Sequence, residues 1–310
     1  MILSASRRTD IPAFYSGWLL RRLKEGYVLV RNPVNPRRIS KISLAPDVVD
    51  GIVFWTKDPV PMLKRLDGLR DYPYYFQFTL NAYGKDAEPN VPSKNDVLVP
   101  AFRELSRRIG KDRVVWRYDP IFFSAKYTPE YHVEYFGRLA SLLAGCTETC
   151  TVSFLDYYRH IGRNLAAMGV RGPSAEERRR LMALLVRTAS ARGMKLTVCA
   201  EEEDYSDLDA LPARCVDRER LERLGDFHLN AAKDKNQRPA CGCCESVDIG
   251  AYGTCLHGCR YCYADRGADA ARSAFARYDP ASPLLCGTVG PEDTVTERKT
   301  GSCRDGQLLL

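Results

Sequence analysis

Cys255, Cys259 and Cys262 share the run YGTCLHGCRYCYAD, residues 252–265, in the spacing C-x3-C-x2-C. Three thiols so close together on one loop suit a thiophilic metal, because soft thiolate donors select zinc and iron–sulfur clusters over oxygen-loving ions. The number of donors narrows the chemistry. A structural zinc site closes with four ligands, and an iron–sulfur cube is commonly held by four cysteines. A cube held by three protein thiolates leaves one iron open to a small molecule. Zinc, or plain buried thiols, are the competing readings of the same spacing. His257 lies inside the loop, where solvent exposure is expected.

The chain has twelve cysteines; none precedes Cys146, and six fall between Cys241 and Cys262. The run MILSASRRTDIP turns polar after three apolar residues, unlike a secretory signal. No stretch of about 18 apolar residues is present to span a membrane. A cytoplasmic protein with reduced thiols is therefore expected, in which clustered cysteines are metal ligands, catalytic thiols or small core residues. Cys199 ends a predicted strand, Cys215 lies in the next loop, and CGCC occupies 241–244. Adjacent thiols invite oxidation unless ligated. Cys199, Cys215, Cys241 and Cys243 are accordingly read as a second metal set, for a second [4Fe-4S] cluster or zinc, with Cys244 to spare. A small core residue is the alternative for Cys199. Cys146, Cys150, Cys286 and Cys303 are isolated and read as structural, as do His132, His160 and His228. In KDKNQR, Lys233, Lys235 and Arg238 either neutralise an anion near the cysteines or form a solvated charge run.

Elements must carry these side chains to one place. Short apolar or β-branched runs predict strands at Met1–Ser4, Gly51–Trp55, Tyr74–Thr79, Val114–Trp116, Thr151–Phe154 and Lys195–Cys199. Amphipathic stretches lie between them, including SGWLLRRLKEG and PAFRELSRRIG, each closed by a glycine. SAEERRRLMALLVRTASARG adds a serine N-cap and acidic first turn. YVLVRNPVNPRRISKISL predicts an inserted hairpin. Strand and helix alternating six times make an α/β fold with a parallel sheet. A polar cluster follows every strand: Arg7, Arg8, Thr9 and Asp10; Thr56, Lys57 and Asp58; Asn81; Arg117 and Asp119; Asp156; Glu201 and Glu202. A partial (β/α) TIM-type barrel would converge these groups on one mouth, which favours it over an open doubly wound sheet. Residues 1–230 are read as this barrel, and 231–310 as a cysteine-rich Fe-S segment with a tail packed on its mouth. From Gly287 onward the chain is polar and expected to be disordered or draped over the surface.

CLHGCRYC resembles the signature of the radical S-adenosylmethionine superfamily, C-x3-C-x-aromatic-C, with Tyr261 in the aromatic position. That resemblance implies a [4Fe-4S] cluster on Cys255, Cys259 and Cys262 whose open iron binds S-adenosylmethionine. It also implies cleavage of that cofactor to a 5′-deoxyadenosyl radical, an aromatic ring beside the adenine, and a full or partial (β/α) barrel. SRRTDIP, FWTKDP, QFTLN, RYDPI, CAEE, KDKNQR-x-x-CGC and SVDIGAY-x-x-C-x-x-GC-x-YCYA are similar to a microbial family of unknown function, domain of unknown function 1848. Its members carry a radical-enzyme-like cysteine cluster at the C-terminal end. TKDP is also loosely similar to the spore photoproduct lyase-like branch. In the superfamily the motif follows the first strand, whereas here it follows six. A circular rearrangement reconciles the two orders if Val247–Ile249 forms a strand leading into the loop. The Gly-Gly-Glu type run that often grips the methionyl amino group is not visible.

The expected function is thus a radical S-adenosylmethionine-type enzyme of unknown substrate. Arg8, Asp10, Lys57, Arg117, Asp119 and Glu201 are the candidate catalytic groups, and Arg7, Asn81 and Tyr261 the candidate cofactor-binding ones. Its partners would be a reductant such as ferredoxin or flavodoxin and, given the net charge of +7, a phosphate-bearing or nucleic-acid substrate. The alternative is a zinc- or Fe-S-stabilised protein without catalysis that binds nucleic acid or transfers electrons; RYCYADR has the mixed basic and aromatic composition of a single-strand binder. Neither a Walker loop, a G-x-G-x-x-G opening a helix nor a G-x-S-x-G elbow is present, which argues against nucleotide triphosphate, dinucleotide and serine-hydrolase chemistry.

Overall fold

GIVFWT, YYFQFT and VVWRYDPI are too apolar to leave either face in water, and each strand is buried almost throughout. The computed structural model describes residues 1–305 and contains, among them, eleven strands. In chain order they are β1 (Ile2–Ala5), β2 (Tyr27–Arg31), β3 (Arg38–Ser43), β4 (Gly51–Thr56), β5 (Tyr74–Thr79), β6 (Val114–Ile121), β7 (Thr149–Phe154), β8 (Lys195–Val198), β9 (Leu211–Pro212), β10 (Val247–Asp248) and β11 (Thr294–Glu297). Eight form one sheet in the order β10-β1-β4-β5-β6-β7-β8-β9, every pair parallel.

The helices of the crossovers begin and end where local chemistry says they should. Ser16–Glu25 (α1) stops at Gly26, which takes a left-handed φ of 78°. Val99–Ile109 (α2) has Pro in its first turn and ends at Gly110. Pro129–Leu143 (α3) is capped by the Thr128 side chain. Ala175–Ser190 (α4) carries a full capping box between Ser174 and Glu177. No helix among the described residues is long and apolar enough to cross a membrane.

Strand alternation sorts the core into two layers. Leu3, Ile52, Phe54, Tyr74, Phe76, Val114 and Trp116 join the large core shared with the helices. Their neighbours Ile2, Val53, Tyr75 and Val115 face the other way and pack with Cys215, Val216, Leu221, Cys241, Cys243 and Cys244. Val247, Ile249, Cys259 and Tyr261 join the large core, whereas the stretch around Cys215 and Cys241–Cys244 lies on the inner face of the sheet.

That face is concave. Residues at the C-terminal ends of β1, β4, β5, β6, β7 and β8, together with Asp248 of β10, line one cavity of about 580 Å³. In a flat sheet with ~4.8 Å between strands, β10 and β8 would stand about 29 Å apart. Only strong curling brings both to one cavity. No pairing joins the edge strands β9 and β10 among the described residues.

The predicted strand at Val247–Ile249 is present as β10, parallel to β1 with Leu3 opposite Val247 and Ser4 opposite Asp248. The inserted hairpin is β2 and β3, antiparallel. The tail is ordered where β11 runs parallel to β3, its side chains all exposed. Backbone pairing and an exposed Lys41–Glu297 ion pair hold it, with no apolar face buried, so its polar sequence carried no strand pattern.

Gly250 follows β10 where a side chain has no room: a Cβ there would lie 2.6 Å from Ser6 Cβ. Gly250→Ala is expected to destabilise the protein by about 1–3 kcal/mol through overpacking. Gly172→Ala, where a Cβ meets nothing, is expected to stay within about 0.5 kcal/mol of wild type. Urea unfolding midpoints check both.

Candidate functional site

Asp248 anchors the loop that carries the three cysteines. One of its oxygens accepts from Ser6 Oγ and Gly250 N, the other from Ser4 Oγ and Arg7 N, all at 2.7–2.9 Å. The first turn after β1 and the start of the cysteine loop are thereby fixed to each other. Cys255, Cys259 and Cys262 then gather in one group, Cys259 buried and the other two half-buried, and the Cys259 thiol senses the charge of both others. Burial raises the pKa of all three. Opposing it, the amides of His257 and Asp10 face the Cys255 sulfur, and those of Ala264 and Asp265 face Cys262. Donors aimed at sulfur favour its anionic, metal-ligating form.

Lys57 supplies the nearest positive charge. Its Nζ lies 2.7 Å from Glu88 Oε1 and 2.9 Å from the Tyr261 hydroxyl. Burial alone would lower its pKa, but Glu88, Cys259 and Cys262 overcome that and raise it. Glu88 is 1 % exposed and also pairs with Lys94. Its burial favours the neutral acid, yet Lys57 and Lys94 hold its pKa down at about 2. Tyr261 donates to the same carboxylate and accepts from Asn81 Nδ2 at 3.1 Å. Its ring packs against Tyr83 and Phe122.

The cavity gathers most of the expected mouth groups. Arg7, Arg8, Lys57, Arg117, Asp119, Tyr261 and Cys262 line it, as do Cys199, Cys215, Cys241 and Cys243. Their charges are matched: Arg117 pairs with Asp119, Arg238 with Asp156 at 2.6 Å, Arg7 with Asp234 at 3.7 Å and Arg8 with Asp248 at 3.9 Å. Trp55 under Arg7 and Tyr252 under Arg8 add flat apolar surface.

Three expected site residues act instead as internal supports. Asp10 caps Ala13 N with one oxygen and accepts from Lys57 N and His257 Nε2 with the other. Asn81 bridges both the amide and the carbonyl of Asp119. Glu201 accepts from Phe154 N at 2.8 Å, and burial raises its pKa. None of the three lines the cavity.

His257 is a correction. It is 2 % exposed, not solvated, because Asp10 binds its Nε2 and Phe14 packs on the ring at 4.7 Å. Its Nδ1 is one of the few buried polar atoms without a hydrogen-bond partner, as is Thr9 Oγ1. His132 is structural as expected, bonded to Tyr118 and Phe122, with burial lowering its pKa to about 4.

Sequence reading missed Glu88, Trp55 and Asp248. Glu88 lies in a polar loop between β5 and α2 with no periodicity to single it out. Asp248 was visible only as part of the run SVDIGAY.

As the side chains stand, no three His, Cys, Asp or Glu among the described residues are grouped so as to hold a metal ion. A family model described as "Domain of unknown function (DUF1848)" matches residues 2–264. No curated protein and no solved structure matches the chain.

Glu88→Gln removes the buried counter-charge shared by two half-buried ammonium groups. We expect a loss of about 3–5 kcal/mol, as for breaking a buried pair. Because the folded pKa of Glu88 is depressed to about 2, its contribution is complete above its ordinary value of 4.5 and is lost as pH falls toward 2. The difference between wild type and variant, followed by thermal unfolding, should therefore shrink over that acid window.

Proposed function

The chain belongs to the DUF1848 family, whose description names no activity, and from the site itself we propose a radical S-adenosylmethionine-type enzyme. Cys255, Cys259 and Cys262 would hold a [4Fe-4S] cluster in a partial (β/α) barrel whose motif has moved from the first strand to β10. One observation carries this reading. A three-thiol loop is fastened beside β1, at the C-terminal edge of a curled parallel sheet, and it opens through Cys262 and Tyr261 into a cavity large enough for a cofactor and a substrate.

The donor set suits such a cluster: three thiols on one loop, one buried and two half-buried, main-chain amides aimed at two of them, and a lysine whose charge reaches Cys259 and Cys262. When bound, a cluster with an open iron supplies the electron that cleaves S-adenosylmethionine to methionine and a 5′-deoxyadenosyl radical. The chain's own residues do the rest of the work. Lys57, held by Glu88 and Tyr261, offsets negative charge at the sulfurs. Arg7 and Arg8 offer cations for carboxylate or phosphate groups, and Trp55 and Tyr252 offer stacking faces for a base. Arg117 and Asp119, paired to each other, lie where substrate would meet the cofactor. Asp10, Asn81 and Glu201 keep these groups in place.

The test is anaerobic reconstitution with iron and sulfide, followed by paramagnetic resonance of the reduced protein with and without S-adenosylmethionine. A spectral change on adding the cofactor, together with 5′-deoxyadenosine release under a ferredoxin or flavodoxin reductant, is the expected result. Cys259→Ala should abolish both. A cluster whose spectrum ignores the cofactor would mean a fourth protein ligand and end this reading. Stoichiometric zinc at the trio would favour the non-catalytic alternative.

A further inference from the structure

Four other thiols come together from three separate parts of the chain. Cys199 follows β8, Cys215 follows β9, and Cys241 and Cys243 precede β10. Cys199 Sγ lies 3.3 Å from Cys215 Sγ. Cys215 in turn senses the charge of Cys243, and Cys243 that of Cys241. All four thiols lie in the wall of the central cavity. Cys244, expected as a spare, instead directs its sulfur to Val216 O.

The surroundings do not treat these sulfurs as ordinary apolar filling. Arg117, 5 % exposed, donates from Nη1 to Cys215 Sγ at 2.8 Å. Val216 N donates to Cys243 Sγ at 3.3 Å, and the amide of Cys243 faces Cys241. Arg7 reaches Cys243 and Cys215 electrostatically, and Arg238 reaches Cys199. Guanidinium and amide donors aimed at sulfur stabilise thiolates, and outer donors of this kind orient metal ligands. The backbone is held as firmly. The Cys215 carbonyl accepts from Tyr75 Oη at 2.7 Å and Gln77 Nε2 at 3.0 Å, both inward-facing on β5. Around a tetrahedral ion with bonds of about 2.3 Å, neighbouring sulfurs stand roughly 3.8 Å apart. The observed Cys199–Cys215 contact is a little shorter, so loading would turn the four sulfurs toward a common point.

We infer that Cys199, Cys215, Cys241 and Cys243 form a second, closed metal centre, a four-thiolate site for zinc or an iron–sulfur cluster, in the wall of the cavity that the Cys255 loop also reaches. With four protein donors it keeps no position for substrate. Its role is to fasten β8, β9 and the segment before β10, or to pass electrons across the cavity. The inference stands independently of the chemistry proposed for the other three cysteines.

The test uses the full chain with Cys255, Cys259 and Cys262 all changed to Ala, purified without oxygen. Metal analysis is expected to find about one zinc, or iron with matching sulfide, per chain; the two results identify the ion or the cluster. In that background Cys215→Ser or Cys243→Ser should lower metal content or affinity at least about tenfold, whereas Cys244→Ser should leave it unchanged. If the Cys215 and Cys243 variants fail to fold, Cys241→Ser is titrated with Co2+ alone, and its thiolate charge-transfer absorption should be weaker than in the parent. A parent without transition metal that also gives no such absorption with Co2+ overturns the inference. So does a Cys199–Cys215 disulfide in the metal-free protein, or equal metal binding by the parent and the Cys→Ser variants.

Discussion

The site depends on one short piece of parallel pairing. β10 is only two residues long, yet it lies against β1 and is held there by the Asp248 carboxylate, which accepts from groups on both sides of the seam. A two-residue strand contributes little ladder energy. Side-chain bonds must therefore hold the seam, and net hydrogen bonds to a charged acceptor, worth about 1.5–3 kcal/mol each, are of the right size. Gly250 completes it by letting the chain pass against Ser6. Bonds from Asp10 to His257 and from Lys57 and Asn81 to Tyr261 then tie the Cys255 loop to the neighbouring strand ends.

A second constraint is electrostatic. The inner face holds Lys57, Arg117 and Glu88 at low exposure, and each is tied to an opposite charge. Unpaired, any of them would be costly to bury. Paired in a network, they fix the positions of Tyr261 and Asp119 and leave sulfur as the other polarisable group on that face. The seven cysteines read as ligands fall into two sets, both reaching the same cavity. One set has three sulfurs and the other four; in the reading proposed above, that difference would separate a reactive centre from a closed one.

Much of the scaffold was legible. β5 spans the predicted residues 74–79, α1 ends at the predicted Gly26 and α4 begins at the predicted Ser174 cap, because apolar periodicity and capping chemistry are local; α4 stops at Ser190, short of the predicted Gly193. Cys199, Cys215, Cys241 and Cys243, singled out by their spacing, all line the one cavity. Legibility failed where a residue's partner is distant in sequence. Asp10 reads as a free acid at a strand end, but His257, 247 residues away, and the Lys57 amide consume its oxygens. His257 reads as exposed within a polar loop, but Phe14 and Asp10 bury it.

The sequence by itself determined the alternation of strand and helix, the parallel sheet this requires, and the donor types available for metal chemistry, all of which follow from spacings within about twenty residues. Only the tertiary structure decided that the sheet curls, that β10 docks beside β1, and that Glu88 sits beneath Lys57 and Tyr261. These are contacts between segments far apart in the chain. Their strength comes from burial and from charge pairing in a dry interior, neither of which exists until the sheet has formed.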